Sequence, residues 1–274
     1  PVLAADKQAI RTAGKWQYRA GDDRAWTLWQ DDDAEGFLFN KVADREQTLV
    51  AFRKLENDRG ILPPQEALAG MKTPEGLAVQ LVLSDPDIGQ PLSLKFDSRG
   101  RLWVVEYRQY PNPAGLKMVS RDKYLRAVYD KMPLPPPNHF PGQDRITIHE
   151  DTDGDGIYDK HKTFLDGLSL VTSFAIGRGG VWVLNPPYLL FYPDNNGDDV
   201  PDGNPDVHLQ GFGMEDSHSI ANSMRWGPDG WLYASQGSTV SGKIRPYQSK
   251  QAAVYSMGQL IWRYHPLEKK YEVF

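Results

Sequence analysis

The sequence predicts an all-β protein of the β-propeller class, with about three blades in this chain and a short, partly helical N-terminal segment. Three observations predict this fold. The 25 glycines, 21 prolines and many aromatic residues of the 274-residue chain favour short strands joined by turns. A pattern of alternating apolar residues around a glycine turn occurs three times. Each copy is followed by a second pair of strand-like segments, as in a four-stranded blade.

Residues 1–70 form a lead-in segment that differs from the rest of the chain. The segment is rich in tryptophan and acidic residues, and apolar residues at helical spacing predict one helix over about 45–57. Gly60 and the adjacent Pro63 and Pro64 end that helix and mark a boundary. We therefore expect a partial propeller over residues 71–274.

Each predicted blade consists of an inner hairpin followed by an outer hairpin. The inner hairpins turn at Gly100, Gly180 and Gly230. The outer hairpins are predicted at 145–149 with 162–165, at 189–192 with 206–209, and at 260–264 with 271–274. Propellers close with four or more blades, so three blades predict that a C-terminal continuation or another chain supplies the rest.

An insertion at residues 109–143 lengthens the first blade. Its apolar residues between 116 and 129 suggest one amphipathic helix, and five prolines between 133 and 141 predict an extended exit. A long connection of this kind is either a lid or binding loop, or a docking element for the N-terminal segment.

Composition excludes several classes of function. The net charge of −5 argues against a nucleic-acid-binding protein, which needs clustered basic residues. The absence of cysteine excludes disulfides, thiolate zinc sites, a CxxCH haem site and a cysteine nucleophile. No run of 18 apolar residues is present, so we expect no transmembrane segment. The first six residues have the small-residue composition of a signal-peptide tail, which suggests a mature or trimmed terminus.

The strongest motif is an acidic loop at residues 151–159. Its oxygen ligands lie at positions 1, 3, 5, 7 and 9 of the loop: Asp151, Asp153, Asp155, the carbonyl of Ile157, and Asp159. Gly156 allows the sharp turn that brings them together, whereas Lys162 stands where an EF-hand has its bidentate glutamate. The loop resembles the shorter calcium loops of dockerin and thrombospondin type-3 repeats.

A second copy of this loop follows at residues 194–202. Its predicted ligands are Asp194, Asn196, Asp198, the carbonyl of Val200, and Asp202. Asp199 replaces the glycine of the turn. Both loops lie at the tips of outer hairpins, which predicts calcium ions with a structural role; ordinary Asp/Gly turns without an ion are the alternative.

Acid–base candidates are few. His218 lies in the polar loop that enters the inner strand of the third blade, and such loops line the central channel of a propeller. With a nearby carboxylate it would act as a general base, although an ordinary loop histidine fits the sequence equally well. Glu106, Arg108 and Gln236 end inner strands and are also expected at the channel, unless the first two only support the insertion.

These residues resemble a known family. The stretches 94–106, 151–159 and especially 218–233 are similar to the propeller of the PVC-type membrane-bound dehydrogenases, which are related to the soluble quinoprotein glucose/sorbosone dehydrogenases. The similarity extends over residues 74–274 and implies a six-bladed propeller that binds calcium. It also implies export to the periplasm or the extracellular space. The implied activity is oxidation of a sugar or alcohol hydroxyl by pyrroloquinoline quinone.

The resemblance also assigns roles to residues. His218 matches the histidine that takes the substrate proton while hydride moves to the quinone, and Glu106, Arg108, Asn222, Arg225 and Gln236 would line the channel or contact the cofactor. Many relatives continue into cytochrome c modules, which implies a cytochrome as electron acceptor. The relatives hold the quinone with basic residues from later blades, and this chain ends before them.

Two other functions fit the same sequence. The first is a non-catalytic, calcium-stabilised propeller that binds carbohydrate or a protein partner through its channel face and insertion. The second is a metal-dependent lactonase, which needs a metal on the channel axis rather than at the hairpin tips.

Overall fold

In this computed structural model, the described residues are 62–274 and three short strands at 8–12, 15–19 and 27–30. The chain divides into two compact units, residues 1–79 and residues 80–274. The first unit contains an antiparallel sheet of β1 (Gln8–Thr12), β2 (Lys15–Arg19) and β3 (Thr27–Gln30). It also contains the short helix α1 (Pro64–Ala69), whose first position is a proline with its φ angle already helical. The helix predicted at 45–57 lies outside the described residues.

The second unit is all-β, as predicted, and contains three successive four-stranded antiparallel arrangements. The first sheet is formed by β4 (Pro91–Phe96), β5 (Leu102–Glu106), β8 (Asp144–Glu150) and β9 (Lys160–Leu168). The second sheet begins with β10 (Ser173–Ile176), β11 (Gly180–Asn185), β12 (Tyr188–Pro193) and β13 (Asp206–Phe212). The third sheet is formed by β14 (Asn222–Trp226), β15 (Leu232–Gln236), β18 (Leu260–His265) and β19 (Lys270–Val273). Every predicted inner and outer hairpin is confirmed, and no sheet among the described residues is closed.

The inner hairpins form because a short polar turn interrupts apolar alternation. Between β4 and β5, the carboxylate of Asp97 accepts hydrogen bonds from the backbone N–H groups of Arg99 and Arg101 at 2.9 and 3.0 Å. Gly100 adopts a φ of +79°, a conformation that side-chain-bearing residues rarely adopt. The turn therefore depends on local chemistry, which is why the sequence predicts it well.

The helix predicted in the insertion is wrong. The structure has instead a hairpin of β6 (Met118–Arg121) and β7 (Ala127–Tyr129). Asp122 accepts hydrogen bonds from the backbone of Tyr124 and Arg126, and Leu125 has a φ of +64°, so the chain reverses where a helix would continue. The spacing of the apolar residues in this segment fits either a helix or a strand. The turn at Asp122 favours two strands.

A further hairpin was not predicted from the sequence. It consists of β16 (Ser241–Pro246) and β17 (Val254–Met257), lies between β15 and β18 along the chain, and pairs with β13. It extends the second sheet to six strands. At Gly211 of β13 the two backbones are so close that an added Cβ would lie 1.9 Å from the carbonyl oxygen of Lys243.

The three sheets pack face to face in chain order. Trp103 and Ile146 of the first sheet share a buried cluster with Phe174 and Leu190 of the second. A second cluster buries the opposite face of the second sheet against the third, through Trp182, Leu209, Met224 and Trp262. The second sheet is therefore the middle layer of three.

The first strands of the three sheets lie side by side. Strand β10 contacts both β4 and β14. The ammonium group of Lys95 on β4 donates hydrogen bonds to the backbone carbonyls of Phe174 on β10 and Met224 on β14. On the outer sides of this stack, Leu94 and Phe96 are 58% and 67% exposed, and Ile261 of the third sheet is 51% exposed.

Candidate functional site

His218 lies on the loop that precedes β14, at the end of the sheets where β5 and β15 finish. A short turn holds it: its backbone N–H donates to Asp216 Oδ1 at 3.0 Å. The same carboxylate oxygen lies 3.0 Å from Nδ1 of the His218 ring, and the His218 side chain is 71% exposed. The other oxygen of Asp216 accepts from the hydroxyl of Thr239.

A third residue completes this arrangement. The phenol of Tyr110, at the start of the insertion, hydrogen-bonds Nε2 of His218. If Nδ1–H donates to Asp216, Nε2 is the acceptor for the Tyr110 hydroxyl, giving a chain Asp216–His218–Tyr110. Tyr110 was not a candidate in the sequence, because it is 108 residues from His218. Its position directly after an inner strand is the only signal that points to it.

Electrostatics keeps the acid of this chain ionised. Burial raises the pKa of Asp216, but hydrogen bonds from Thr239 and His218 outweigh burial and hold that pKa below its ordinary value. An ionised carboxylate at Nδ1 orients the imidazole and fixes its tautomer.

A buried carboxylate holds the base of the insertion. Asp144 is fully buried and accepts from the backbone N–H groups of Gln109 and Val171 at 2.6 and 2.9 Å. Burial raises the pKa of Asp144 to about 6, because these backbone donors only partly replace the lost hydration. Gln109 precedes Tyr110, so this contact helps to position the phenol.

Glu106 and Arg108 lie together, but inside an ion-pair cluster. Glu106 is fully buried and accepts from Arg145 at 2.9 Å, from Arg108 at 2.8 Å and from the backbone of Gly89 at 2.8 Å. Burial raises the pKa of Glu106, and the two arginines more than offset this, so the pKa is lowered. All of this bonding is internal, which favours the alternative in which the pair supports the insertion.

The remaining channel candidates separate into two kinds. Gln236 is buried and donates to the carbonyl of Gly258 at 2.8 Å. Asn222 bonds Ser235 and the carbonyl of Ile220, both at 2.9 Å. Arg225 is exposed, and its charge together with burial lowers the pKa of Lys95 to about 8, burial being the larger cause. Of these three residues, Gln236 is buried, Asn222 is half-buried and Arg225 is exposed.

The first acidic loop connects β8 and β9, at the predicted hairpin tip. Ligand atoms of Asp151, Asp153 and Asp155 all lie within 4.8 Å of one another. Asp151 is fixed by the backbone N–H groups of Gly154 and Gly156, at 2.7 and 2.9 Å. Hard carboxylate oxygens at this spacing fit a calcium ion.

The ninth position of this loop is occupied differently. Both oxygens of Asp159 accept hydrogen bonds from Thr152, from its hydroxyl at 2.6 Å and its backbone at 3.1 Å. Asp159 therefore closes the loop and is not among the three clustered carboxylates. Ile157 donates its backbone N–H to Asp155, which shapes the turn that carries its carbonyl.

The second acidic loop, between β12 and β13, has a similar backbone frame. Asp194 accepts from the N–H groups of Asp198 and Asp199 at 3.2 Å each, the fifth and sixth positions of the loop, whereas Asp151 accepts from the fourth and sixth positions of the first loop. Asn196 Oδ1 accepts from Asp198 N, and Val200 N donates to Asp198. Asp202, like Asp159, closes the loop by accepting from the residue after its first aspartate.

Asp199 explains why this loop lacks its glycine. It has a φ of +64°, and its carboxylate binds both Nη atoms of Arg101 at 2.6 and 2.8 Å. Arg99 adds a bond at 3.0 Å. Asp199 therefore joins the second acidic loop to the β4–β5 turn of the first sheet, and its carboxylate points to these arginines rather than to the predicted calcium ligands.

The comparisons with known proteins give a family but no function. Residues 63–274 match the family described as a domain of unknown function, DUF7133, and the chain belongs to that family. No curated protein matches the chain, and no solved structure does. Within the described residues, no helix is long and apolar enough to cross a membrane.

Proposed function

We propose that residues 80–274 are three successive blades of a β-propeller, and that the loop face around His218 is a general-base site for sugar or alcohol hydroxyls. The face-to-face packing of three sheets, each with four consecutive strands of this pattern, supports the blade arrangement, although β16 and β17 extend the second sheet to six strands. The side-by-side first strands, joined by Lys95, support a common axis. In a propeller, the loops at the ends of such strands surround the opening of the central channel, where ligands bind.

The unpaired outer faces support completion of the ring by further blades. Leu94 and Phe96 on the first sheet and Ile261 on the third are large apolar residues that a neighbouring sheet would bury. These blades would come from a continuation of the chain or from another chain.

The observation that carries the enzymatic proposal is the hydrogen-bonded chain Asp216–His218–Tyr110. Nε2 of His218 would take the proton of a substrate hydroxyl, either directly or through the phenol of Tyr110. Asp216 orients the ring and stabilises the imidazolium that forms. The exposed ring leaves room for a substrate from the solvent side.

Pyrroloquinoline quinone carries three carboxylates and needs cations to bind it. The side chains bonded to His218 are a carboxylate and a phenol. Lys95 bonds backbone carbonyls, and Arg108 is bound to Glu106. Arg225 is exposed, but one cation does not match three carboxylates, so the described residues do not fit the quinone by themselves. Exported location and a cytochrome acceptor are part of the same proposal and rest on the resemblance alone.

Calcium is the second part of the proposal. Asp151, Asp153 and Asp155, with the carbonyl of Ile157, would hold one ion at the tip of the first sheet. Asp194, Asn196 and Asp198 would hold a second. Both ions would stabilise hairpin tips and stand apart from His218.

The test uses the full-length protein with added pyrroloquinoline quinone, a redox dye and a panel of sugars and alcohols. We expect dye reduction that His218→Gln lowers by about 100-fold or more, as loss of a general base does. His161→Gln removes an exposed histidine from a hairpin and should leave the rate unchanged. The enzymatic proposal fails if no substrate reduces the dye, or if His218→Gln is as active as the unmodified protein.

A further inference from the structure

A large cavity lies between the β6–β7 hairpin and the β16–β17 hairpin. One wall consists of the β6–β7 hairpin with residues 130–132, and the other of β13, β16 and β17. Its volume is about 1160 Å³. At its rim Arg126 donates to the hydroxyl of Ser241 at 2.9 Å, and Ala127 N donates to the carbonyl of Glu215 at 2.9 Å. The two walls are therefore joined by specific bonds.

The lining of the cavity includes flat aromatic surfaces. Tyr129, Tyr188 and Tyr255 contribute aromatic rings, and Tyr255 is 71% exposed. Glu215 Oε2 and Ser256 Oγ have no hydrogen-bond partner among the described residues, but both are enclosed beside the backbone of Gly213 and Gly242, out of reach of a ligand in the cavity. The rings therefore carry the recognition on this side of the cavity.

The charges of the cavity are unequal. Its acids, Asp122 and Glu215, both lie near Arg126, at 2.6 and 4.0 Å. Its other cations have no carboxylate within salt-bridge distance in the part of the chain that the structure describes. These cations are Lys131, Lys243 and Arg245. The cavity thus has an excess of positive charge beside aromatic rings.

We propose that this cavity binds an acidic oligosaccharide, a sugar chain that carries carboxylate or sulfate groups. Sugar rings would lie on the tyrosines, and the acidic groups would meet Lys243 and Arg245. The volume exceeds the roughly 300–1,000 Å³ of sites for one drug-sized ligand, so several sugar units fit. His218 is not among the residues that line the cavity, and the proposal does not rest on the activity proposed there.

Calorimetry on the full chain tests this assignment with three probes of similar length. These are a galacturonate oligosaccharide, a sulfated carrageenan oligosaccharide and the neutral cellohexaose. We expect one or both acidic probes to bind, which also shows which acidic group is recognised, and the neutral probe to bind at least about 10-fold more weakly. Binding of the acidic probes should weaken as salt is raised. Equal binding of the neutral probe, or no binding of any probe, overturns the proposal.

Variants locate the site. The double change Lys243→Ala with Arg245→Ala should weaken acidic binding by about 10-fold or more. Lys250→Ala removes an exposed lysine from the same hairpin, outside the cavity, and should have no effect. If the double variant melts early, Lys131→Gln on the opposite wall replaces it and should weaken binding in the same direction. Unchanged affinity in the folded cavity variants, or an equal loss in Lys250→Ala, overturns the proposal.

Discussion

Replacing Asp199 by asparagine should destabilise the protein, because this carboxylate joins two sheets. Its partner Arg101 is bound in bidentate fashion, and the two side chains are 9% and 12% exposed. Asparagine keeps the shape of the side chain and tolerates the positive φ of this position, so the change removes mainly the charge.

The magnitude follows from the bonding that remains. Removing one partner of a buried ion pair costs about 3–5 kcal/mol. Arg101 keeps Asp97, whose Oδ2 lies 2.8 Å from its Nε, so we expect a loss near the lower limit, about 3 kcal/mol. For a domain of this size that loss lowers the melting temperature by about 6–12 °C.

Thermal and urea unfolding of Asp199→Asn measure this loss, with Asp206→Asn as control. Asp206 is exposed at the start of β13 and forms no salt bridge among the described residues. The effect should be the same with calcium and with excess chelator, because Asp199 bonds arginine rather than a metal ion. A loss below about 1 kcal/mol, as in exposed ion pairs, would refute the reasoning.

The pH dependence of this difference has a definite sign. The hydrogen bonds from Arg101 lower the pKa of Asp199, and burial opposes them only in part. A lowered folded-state pKa gives stability that is present above the ordinary aspartate pKa and is lost as pH falls through the lowered value. The difference between the unmodified protein and Asp199→Asn should therefore shrink below about pH 4.

Three other changes test separate parts of the structure. Chelation should lower the melting temperature, and Asp153→Ala should weaken that effect, because it removes one of three clustered carboxylates. Burial raises the pKa of Asp144 to about 6, so ionisation of Asp144 should lower the free energy of unfolding by about 3 kcal/mol between pH 4 and pH 7. Urea unfolding across this range should show that decrease for the unmodified protein and not for Asp144→Asn. Gly211→Ala should destabilise by about 3 kcal/mol or more in the same assay, since its Cβ would lie 1.9 Å from a backbone oxygen.

Each of these has its own control and contrary result. Asp166→Ala removes an exposed aspartate outside both loops and should leave the chelator response intact, and an unchanged melting temperature in chelator would remove the metal assignment. Parallel stability profiles of the unmodified protein and Asp144→Asn would show that Asp144 titrates normally. Gly70→Ala, whose added methyl would lie 3.5 Å from the nearest backbone atom, should be tolerated, and equal tolerance of Gly211→Ala would contradict the close approach.

The parts of the fold that local chemistry determines were predictable from the sequence. The strands around Gly100 and Gly230 follow from apolar alternation and a polar turn, and all twelve strands of the three predicted inner and outer hairpin pairs are present. Hairpin β16–β17 was missed because its residues do not alternate, and its pairing with β13 is a tertiary contact. The prediction of a helix in the insertion was wrong for a related reason. The spacing of its apolar residues fits a helix or a strand, and the hydrogen bonds of Asp122 to the backbone stabilise a turn between two strands.

The candidate site divides in the same way. Asp216 is two residues from His218, so a nearby carboxylate was readable in the sequence. Tyr110 reaches His218 across 108 residues, and Asp199 reaches Arg101 across 98, and no local pattern encodes either contact. Glu106 could be predicted as an acid at the end of a strand. Its ion-pair partner Arg145 could not, because it is 39 residues away.

An experimental structure of the full-length protein tests the central claim most directly. The blade arrangement predicts further sheets packed on Leu94 and Phe96 at one side and on Ile261 at the other, with their first strands completing a ring that includes β4, β10 and β14. Solvent-exposed outer faces in the complete protein, or a first strand that lies away from its neighbours, would contradict it.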